Sequence, residues 1–312
     1  MNKLRFGTGG MPLTTKGERN VKAGIQRIHE LGLQHMELEF VYQVFVKEED
    51  APVIKKLAEE QDVSLSVHGS YYVNLGSEDK QKWHASISRV VQAAARGAAA
   101  GAVSVTYHSG FLQGKNADEI HELIKDGTRE ILEELKKKNV KISVAPELTG
   151  KPSQFGELED LIKLVAELRA EGYGDQVAFC FDFAHKFARS NGQFNTYDEV
   201  MVMLEKIAQG LGTEFLDTLH IHMSGIDHSP KGEKNHLVYL PNLKAYAAQG
   251  VVVEGIDSHF AELNVKRMGE NHFNWQGVLQ ALKKTGVGGY LVCESPILEL
   301  DALLMQQYYA SL

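Results

Sequence analysis

Cysteine is scarce: the 312 residues contain only Cys180 and Cys293. Both sit inside apolar, strand-like runs, so buried free thiols are expected rather than a disulfide scaffold. Long hydrophobic runs are missing too. No apolar stretch reaches the roughly 18 residues that a membrane span needs. Met1-Asn2-Lys3-Leu4-Arg5 leads straight into a strand-like run without a leader-like segment. A cytoplasmic protein is expected. No Pro/Ser-rich linker or low-complexity block divides the chain, so residues 1–312 are expected to form one domain. Basic charge is in deficit, with 33 Lys and Arg against 41 Asp and Glu and a formal net charge of −8. Taken alone, this argues against a nucleic-acid binder, which normally offers phosphate a basic face. Carboxylates that hold divalent ions would lift that exclusion, because the ions then become the largest local charges. No Gly-x-Gly-x-x-Gly follows the first strand-like run, which leaves a dinucleotide-binding sheet without support.

What is present is an alternation. Short β-rich apolar runs occur at 4–7, 35–39, 64–68, 103–108, 141–147, 177–182, 218–223 and 290–294, separated by segments of helical period. Ile120, Leu123, Ile124, Ile131 and Leu135 fall on one helical face. Asn116 with Glu119, and Thr196 with Glu199, have the spacing of helix-starting capping pairs. Lys136-Lys137-Lys138 suits a helix C-terminus, and Gly32, Gly101 and Gly250 suit helix stops. Eight strands joined by helix-length crossovers imply right-handed βαβ units and a parallel sheet. Eight such units predict a (β/α)8 TIM barrel with an insertion between strands seven and eight. The stretch 241–274 is longer than a crossover needs. Gly250-Val251-Val252-Val253-Glu254 reads as a strand within it, so a hairpin or flap is expected there.

The strand ends carry a pattern. They finish on His68, His108, Glu147, Asp182, His222 and Glu294, with His185 three residues beyond Asp182 and His236 beyond strand seven. A barrel brings all its strand ends to one rim, where such folds place their active sites. Three carboxylates and three imidazoles meeting there without a metal would crowd like charge and distort every pKa. Divalent ions resolve that conflict, because carboxylate and imidazole are their usual oxygen and nitrogen ligands. Each residue has a plainer reading alone: His68 as a core histidine, Glu147 and Glu294 as ion-pair partners, Asp182 as a helix cap. As a convergent set they point to metal, and their number suits two or three ions. His84, His121, His220, His228, His259 and His272 read as structural or surface residues, with His220 one layer below His222. Glu37 and Glu39 could line the rim or pair inside the barrel.

At these residues the sequence resembles the endonuclease IV family (AP endonuclease family 2) of the xylose-isomerase-like TIM barrel superfamily. The matching segments are 67–76, Tyr107-His108-Ser109-Gly110, Pro146-Glu147-Leu148-Thr149-Gly150, Phe181-Asp182-Phe183-Ala184-His185, Leu219-His220-Ile221-His222 and Val292-Cys293-Glu294-Ser295-Pro296. The resemblance spans nearly the whole chain. It implies that His68 and His108 bind one Zn2+ (Mn2+ being the alternative ion) and that Glu147 bridges to a second as the catalytic carboxylate. Asp182, His222 and Glu294 complete the second site, and His185 and His236 help hold a third. Where the family has an aspartate before that last histidine, this chain has Lys234, and Glu233 is the available substitute. The implied substrate is double-stranded DNA, cut by phosphodiester hydrolysis on the 5′ side of an abasic site in repair. Tyr71 matches the aromatic that the family pushes into DNA. The loop 41–47 offers no arginine counterpart. Lys151, Lys186, Arg189, Lys231 and Lys234 fall in rim loops where they could contact phosphate, with Lys186 the one expected to bind substrate, and a monomer is expected.

The rival expectation comes from the same superfamily. A sugar isomerase or epimerase resembles a reduced version of this site, with Glu147, Asp182, His222 and Glu294 around a single divalent metal. His68, His108, His185 and His236 discriminate, since extra imidazoles serve extra ions.

Overall fold

A computed structural model describes residues 4–312; Met1–Lys3, part of the N-terminal stretch read above, lies outside the described residues. Strands and helices alternate from the start: β1 (Arg5–Gly9), α1 (Val21–Glu30), β2 (His35–Glu39), α2 (Ala51–Glu60), β3 (Ser64–His68), α3 (Lys80–Ala99), β4 (Ala102–Tyr107), α4 (Ala117–Lys137), β5 (Ser143–Pro146) and α5 (Leu158–Leu168). The second half continues with β6 (Cys180–Asp182), α6 (Phe183–Arg189), α7 (Tyr197–Leu211) and β7 (Leu219–Met223). An antiparallel hairpin follows, β8 (Gly225–Ser229) and β9 (Gly232–Leu237), then the short helices α8 (Leu243–Ala248) and α9 (Asp257–Ala261). The chain closes with α10 (Trp275–Thr285), β10 (Gly289–Cys293) and α11 (Glu299–Ser311).

Eight strands pair in parallel in the order β5-β4-β3-β2-β1-β10-β7-β6. The two ends meet through isolated parallel bridges, Val144 with Val177 and Glu147 with Cys180, and the Leu148 N–H donates to the Cys180 carbonyl at 3.0 Å. This is the (β/α)8 barrel the sequence predicts. Its strands read as apolar because both faces are covered; all five residues of β7 are buried. The capping boxes at Asn116/Glu119 and Thr196/Glu199 form and start α4 and α7. Ile120, Ile124, Ile131 and Leu135 of α4 are buried against the barrel, each contributing about 2 kcal/mol. Gly32, Gly101 and Gly250 take positive φ after α1, α3 and α8, as expected of helix stops. Both cysteines are buried and free. Among the described residues, no helix is long and apolar enough to cross a membrane.

The insertion between β7 and β10 differs from the expectation in one respect. Residues 250–254 are not a strand, and the stretch 241–274 holds two short helices instead of a hairpin. Val251 and Val253 are buried and Val252 is exposed, so the alternation is real. The barrel offers no free edge beside it, however, and the Val251 N–H bonds instead to the Tyr246 carbonyl at the end of α8. The hairpin sits earlier, at β8 and β9.

Candidate metal centre

The parallel strands deliver His68, His108, Glu147, Asp182, His222 and Glu294 to the C-terminal mouth, each within one residue of a strand end. His185 arrives from the first turn of α6 and His236 from β9. A cavity of about 190 Å³ lies between them, lined by His68, Tyr71, His108, Glu147, Lys151, Gln154, His185, Glu233, His236 and Glu294.

Glu147 is fully buried at the centre. Its Oε2 lies 3.2 Å from His68 Nε2 and 3.4 Å from His108 Nε2. Its Oε1 lies 3.2 Å from His185 Nδ1 and 3.4 Å from His222 Nδ1. Asp182 meets its plainer reading and leaves an atom over: Oδ1 caps α6 by accepting the His185 N–H at 2.7 Å, while Oδ2 is buried without a hydrogen-bond partner. Glu147 Oε1 and His222 Nδ1 are likewise buried and unpartnered. Orphaned polar atoms are costly in a protein interior. Three of them converging in one mouth suit a cation.

The orientation of the imidazoles fits the same reading. A ligating histidine usually gives one ring N–H to a backbone carbonyl or carboxylate, which turns the other nitrogen toward the metal. His68 Nδ1 lies 2.8 Å from the Gly69 carbonyl and His236 Nδ1 lies 3.0 Å from that of Glu294, turning both Nε2 atoms into the mouth. His185 Nδ1 lies 3.0 Å from the Leu148 carbonyl, with Nε2 facing Glu233 at 3.6 Å. Ligand atoms of His68, His108 and Glu147 fall within 4.8 Å of one another, as do those of Glu147, Asp182, His185 and Glu294, and those of His185, His236 and Glu294. These residues fit divalent metal.

Charge at the mouth is strongly perturbed. Burial alone would lower His68, but the hydrogen bond and charge of Glu147 outweigh it and push the imidazole up to about 10. Burial lifts Asp182 to about 7, with Glu294 and Glu147 adding to the rise against the pull of His185. Burial lifts Glu39 to about 8, and its Oε1 is unpartnered beside the mouth. Glu147 goes the other way: burial opposes its charge, yet His108 and His222 hold it well below the usual carboxylate range.

The hairpin settles which side chain faces His185 and His236. In its register His228 pairs with Glu233 and Asp227 with Asn235, so Lys234 is the extra residue of a β-bulge. The bulge turns Glu233 to the same side as His236, with Oε1 3.7 Å from His236 Nε2. Lys234 points away and pairs with Asp227 at 3.5 Å. Tyr71 stands at the mouth with its ring centroid 5.5 Å from that of His68. Lys186 is not brought there. It is buried, its ammonium is held by Glu157, and it lies over the Phe194 ring at 4.2 Å.

Three residues at the site escaped sequence reasoning or were left open. Glu37 and Glu39 lie one above the other on β2, and both face inward. Tyr42 lies in the loop after β2 and meets Tyr71 edge to face at 5.8 Å. Its signal in the sequence is an aromatic in the loop 41–47.

Residues 25–307 match the xylose isomerase-like TIM barrel family. An uncharacterized protein of Methanocaldococcus jannaschii is 33% identical over 309 residues, covering 99% of this chain and 98% of that one. A probable endonuclease 4 of Acholeplasma laidlawii is 23% identical over 173 residues, covering 54% of this chain and 56% of that one. Among solved structures, endonuclease IV from Thermus thermophilus superposes with a TM-score of 0.63 at 17% identity, covering 98% of this chain and all of the other. A D-tagatose 3-epimerase-like protein superposes at 0.65 and 16% identity, covering 97% of each chain. At these identities the two structures speak for the fold, while the sequence match across almost the whole length places the chain: it belongs to the xylose isomerase-like TIM barrel family.

Proposed function

We propose that the chain is a zinc-dependent phosphodiesterase that cleaves double-stranded DNA on the 5′ side of abasic sites. The observation that carries this reading is Glu147, whose two oxygens each face two imidazoles, His68 and His108 on one side and His185 and His222 on the other. A carboxylate shared in this way suits a bridge between two ions, which a single-metal isomerase does not need. On this reading His68, His108 and Glu147 hold one Zn2+, and Glu147, Asp182, His222 and Glu294 hold a second. His185 and His236 hold a third with Glu233, which takes the place the resemblance gives to an aspartate. Mn2+ is the alternative ion for the oxygen-rich positions. Ions bound there supply Lewis-acid stabilisation of phosphate charge and an acidified water.

The chain's own residues account for the rest. Glu147 stays ionised and sets the spacing of the two halves of the site. Tyr42 and Tyr71 stand 71% and 51% exposed beside the mouth and form an aromatic edge on which a base or deoxyribose can stack. Lys151 lines the cavity and supplies the cation that Lys186 does not. The net charge of −8 counts carboxylates that bound ions offset where the phosphate lands.

One observation favours a second reading, a ketose epimerase with a single metal. The cavity of about 190 Å³ is of a size for a sugar, and Glu147, Asp182, His222 and Glu294 suffice to hold one ion beside it. The two readings part on one paired experiment: metal stoichiometry of the purified protein, and incubation with a duplex carrying one abasic site alongside a ketohexose. Two or three ions per chain and scission at the lesion are expected. One ion, an intact duplex and an epimerised sugar would replace the nuclease with the epimerase.

A further inference from the structure

The barrel interior beneath the mouth is not filled with the branched aliphatic layers usual for this fold. His35, Glu37, Ser66, Ser104 and His220 occupy it, all buried. The carboxylate among them sets the direction of the hydrogen bonds that reach it. The Ser66 hydroxyl donates to Glu37 Oε2 at 2.6 Å. Ser66 therefore has only lone pairs for His35 Nε2, at 2.8 Å, and His35 Nδ1 is left to face the Ser64 hydroxyl at 2.8 Å. His220 Nε2 approaches Glu37 Oε2 at 2.9 Å while its Nδ1 faces the Ser104 hydroxyl at 3.1 Å. His222 Nε2 approaches Glu37 Oε1 at 2.9 Å, off the line of an ideal hydrogen bond.

An ionised carboxylate only accepts. Ser66, His220 and His222 converge on this one, so each must bring it a proton. An unprotonated Nε2 on either histidine would set a lone pair against a carboxylate oxygen at 2.9 Å. The two Nε2 atoms are also within hydrogen-bond distance of each other at 3.1 Å; with both protonated toward Glu37, neither has a lone pair left to accept from the other. With its Nε2 protonated, a neutral His222 presents a bare Nδ1 upward. That atom has no hydrogen-bond partner and lies 3.2 Å from Glu294 Oε1 and 3.4 Å from Glu147 Oε1. A lone pair facing two carboxylates is favourable only with a cation between them. His222 also runs opposite to His68 and His236, which turn Nε2 to the mouth, so something specific to its position must set its tautomer.

We propose that Glu37 is a positioning residue that fixes His222 as an Nδ1 ligand of a divalent metal, with Ser66 and His220 holding Glu37 in place. The inference rests on the metal reading of the mouth given above, but not on the identity of the substrate. The test is read on zinc-loaded protein. Multiple-bond 15N–1H spectra should show His222 with a protonated Nε2 and a zinc-bound Nδ1. In Glu37→Gln, zinc affinity at the weakest site should fall by about 10–100-fold, the usual cost of losing an outer partner of a ligating histidine. The thermal midpoint should change little, and Glu37→Asp should restore part of the affinity.

Zinc affinity unchanged in Glu37→Gln, or His222 bound through Nε2, overturns the proposal. So does a thiolate-to-metal charge-transfer band in cobalt-loaded protein. Cys180 lies within ligand distance of His220 and His222, and such a band would mean that this layer holds an ion and not hydrogen bonds. If Glu37→Gln does not fold, the wild-type spectra decide alone. Cleavage of abasic DNA with no Glu37 effect defeats only this inference. The predicted tautomer and affinity loss without cleavage defeat only the nuclease reading.

Discussion

The barrel is open at both ends, and the larger opening is not the one that gathers the candidate metal ligands. At the N-terminal end a cavity of about 780 Å³ is lined by residues including Arg5, Ser64, Ser104, Ser143, His220 and Tyr290. At the C-terminal end the cavity is about 190 Å³. The polar groups below satisfy one another: Ser64 with His35, Ser104 with His220, Arg5 with Asp62 at 2.8 Å. The polar groups above do not, and Glu39 Oε1, Glu147 Oε1, Asp182 Oδ2 and His222 Nδ1 are all buried without partners. Unsatisfied atoms, not volume, mark where a ligand belongs, because their desolvation must be offset by something that binds. Parallel strands explain the asymmetry: they collect one end of every strand on a single face, and the βα loops add His185 and the hairpin there.

The largest effect is expected of Glu147→Gln. It removes the carboxylate that both halves of the mouth share, so the loss should exceed the roughly 100-fold upper range of outer-shell changes. Metal stoichiometry should fall with activity. An unchanged ion count measured by mass spectrometry would show that the mouth is not organised around Glu147.

The next effect is a pH dependence. In the metal-free protein Asp182 sits near 7 and His68 near 10. Both are raised, so on the proposed zinc reading both would hold protons that the ion has to displace. Each such proton makes affinity rise about tenfold per pH unit below its pKa. Zinc affinity should therefore climb most steeply below pH 7, where both compete, and less steeply from 7 to 10, where His68 remains. Calorimetry in buffers of different ionisation enthalpy should detect the released protons. Affinity flat between about pH 6 and 8 would mean that these groups are not ligands.

The strand-end cluster was legible in the sequence because β-strands of a parallel barrel carry their position in their order. His68, His108, Glu147, Asp182, His222 and Glu294 needed only correct strand ends, and apolar runs mark those well. The hairpin at 225–237 was not legible. Gly-Ile-Asp-His-Ser and Gly-Glu-Lys-Asn-His-Leu are too polar to stand out as strands, and regular alternation would put Glu233 and His236 on opposite faces, so only the bulge at Lys234 brings them together. The opposite error, at 250–254, came from true alternation in a segment with no edge to pair with. Lys186 shows a third limit. Its position in the sequence put it near the rim, but the proximity of Glu157 and Phe194 arises only in the fold.

That placement of Lys186 predicts a stability effect where the sequence predicts a binding effect. Lys186→Met leaves Glu157 with Arg189 as its remaining cation and should cost about 1–3 kcal/mol. Zinc content and the salt dependence of DNA binding should not change. A shallower salt slope at unchanged thermal midpoint would return Lys186 to the phosphate-binding face.

The smallest effect belongs to the larger cavity. Arg5 lines it and bonds to the Asp62 carboxylate and carbonyl, but Asp62 is largely exposed. Exposed pairs gain little Coulomb energy in water and cost side-chain entropy, so Arg5→Ala should move the unfolding free energy by no more than about 1 kcal/mol. Its groups are already satisfied within the protein, so zinc stoichiometry, zinc affinity and turnover should stay at wild-type values. A fall in turnover at unchanged stability would mean that the N-terminal opening takes part in the reaction, and that satisfied polar groups are no guide to which end of this barrel is used.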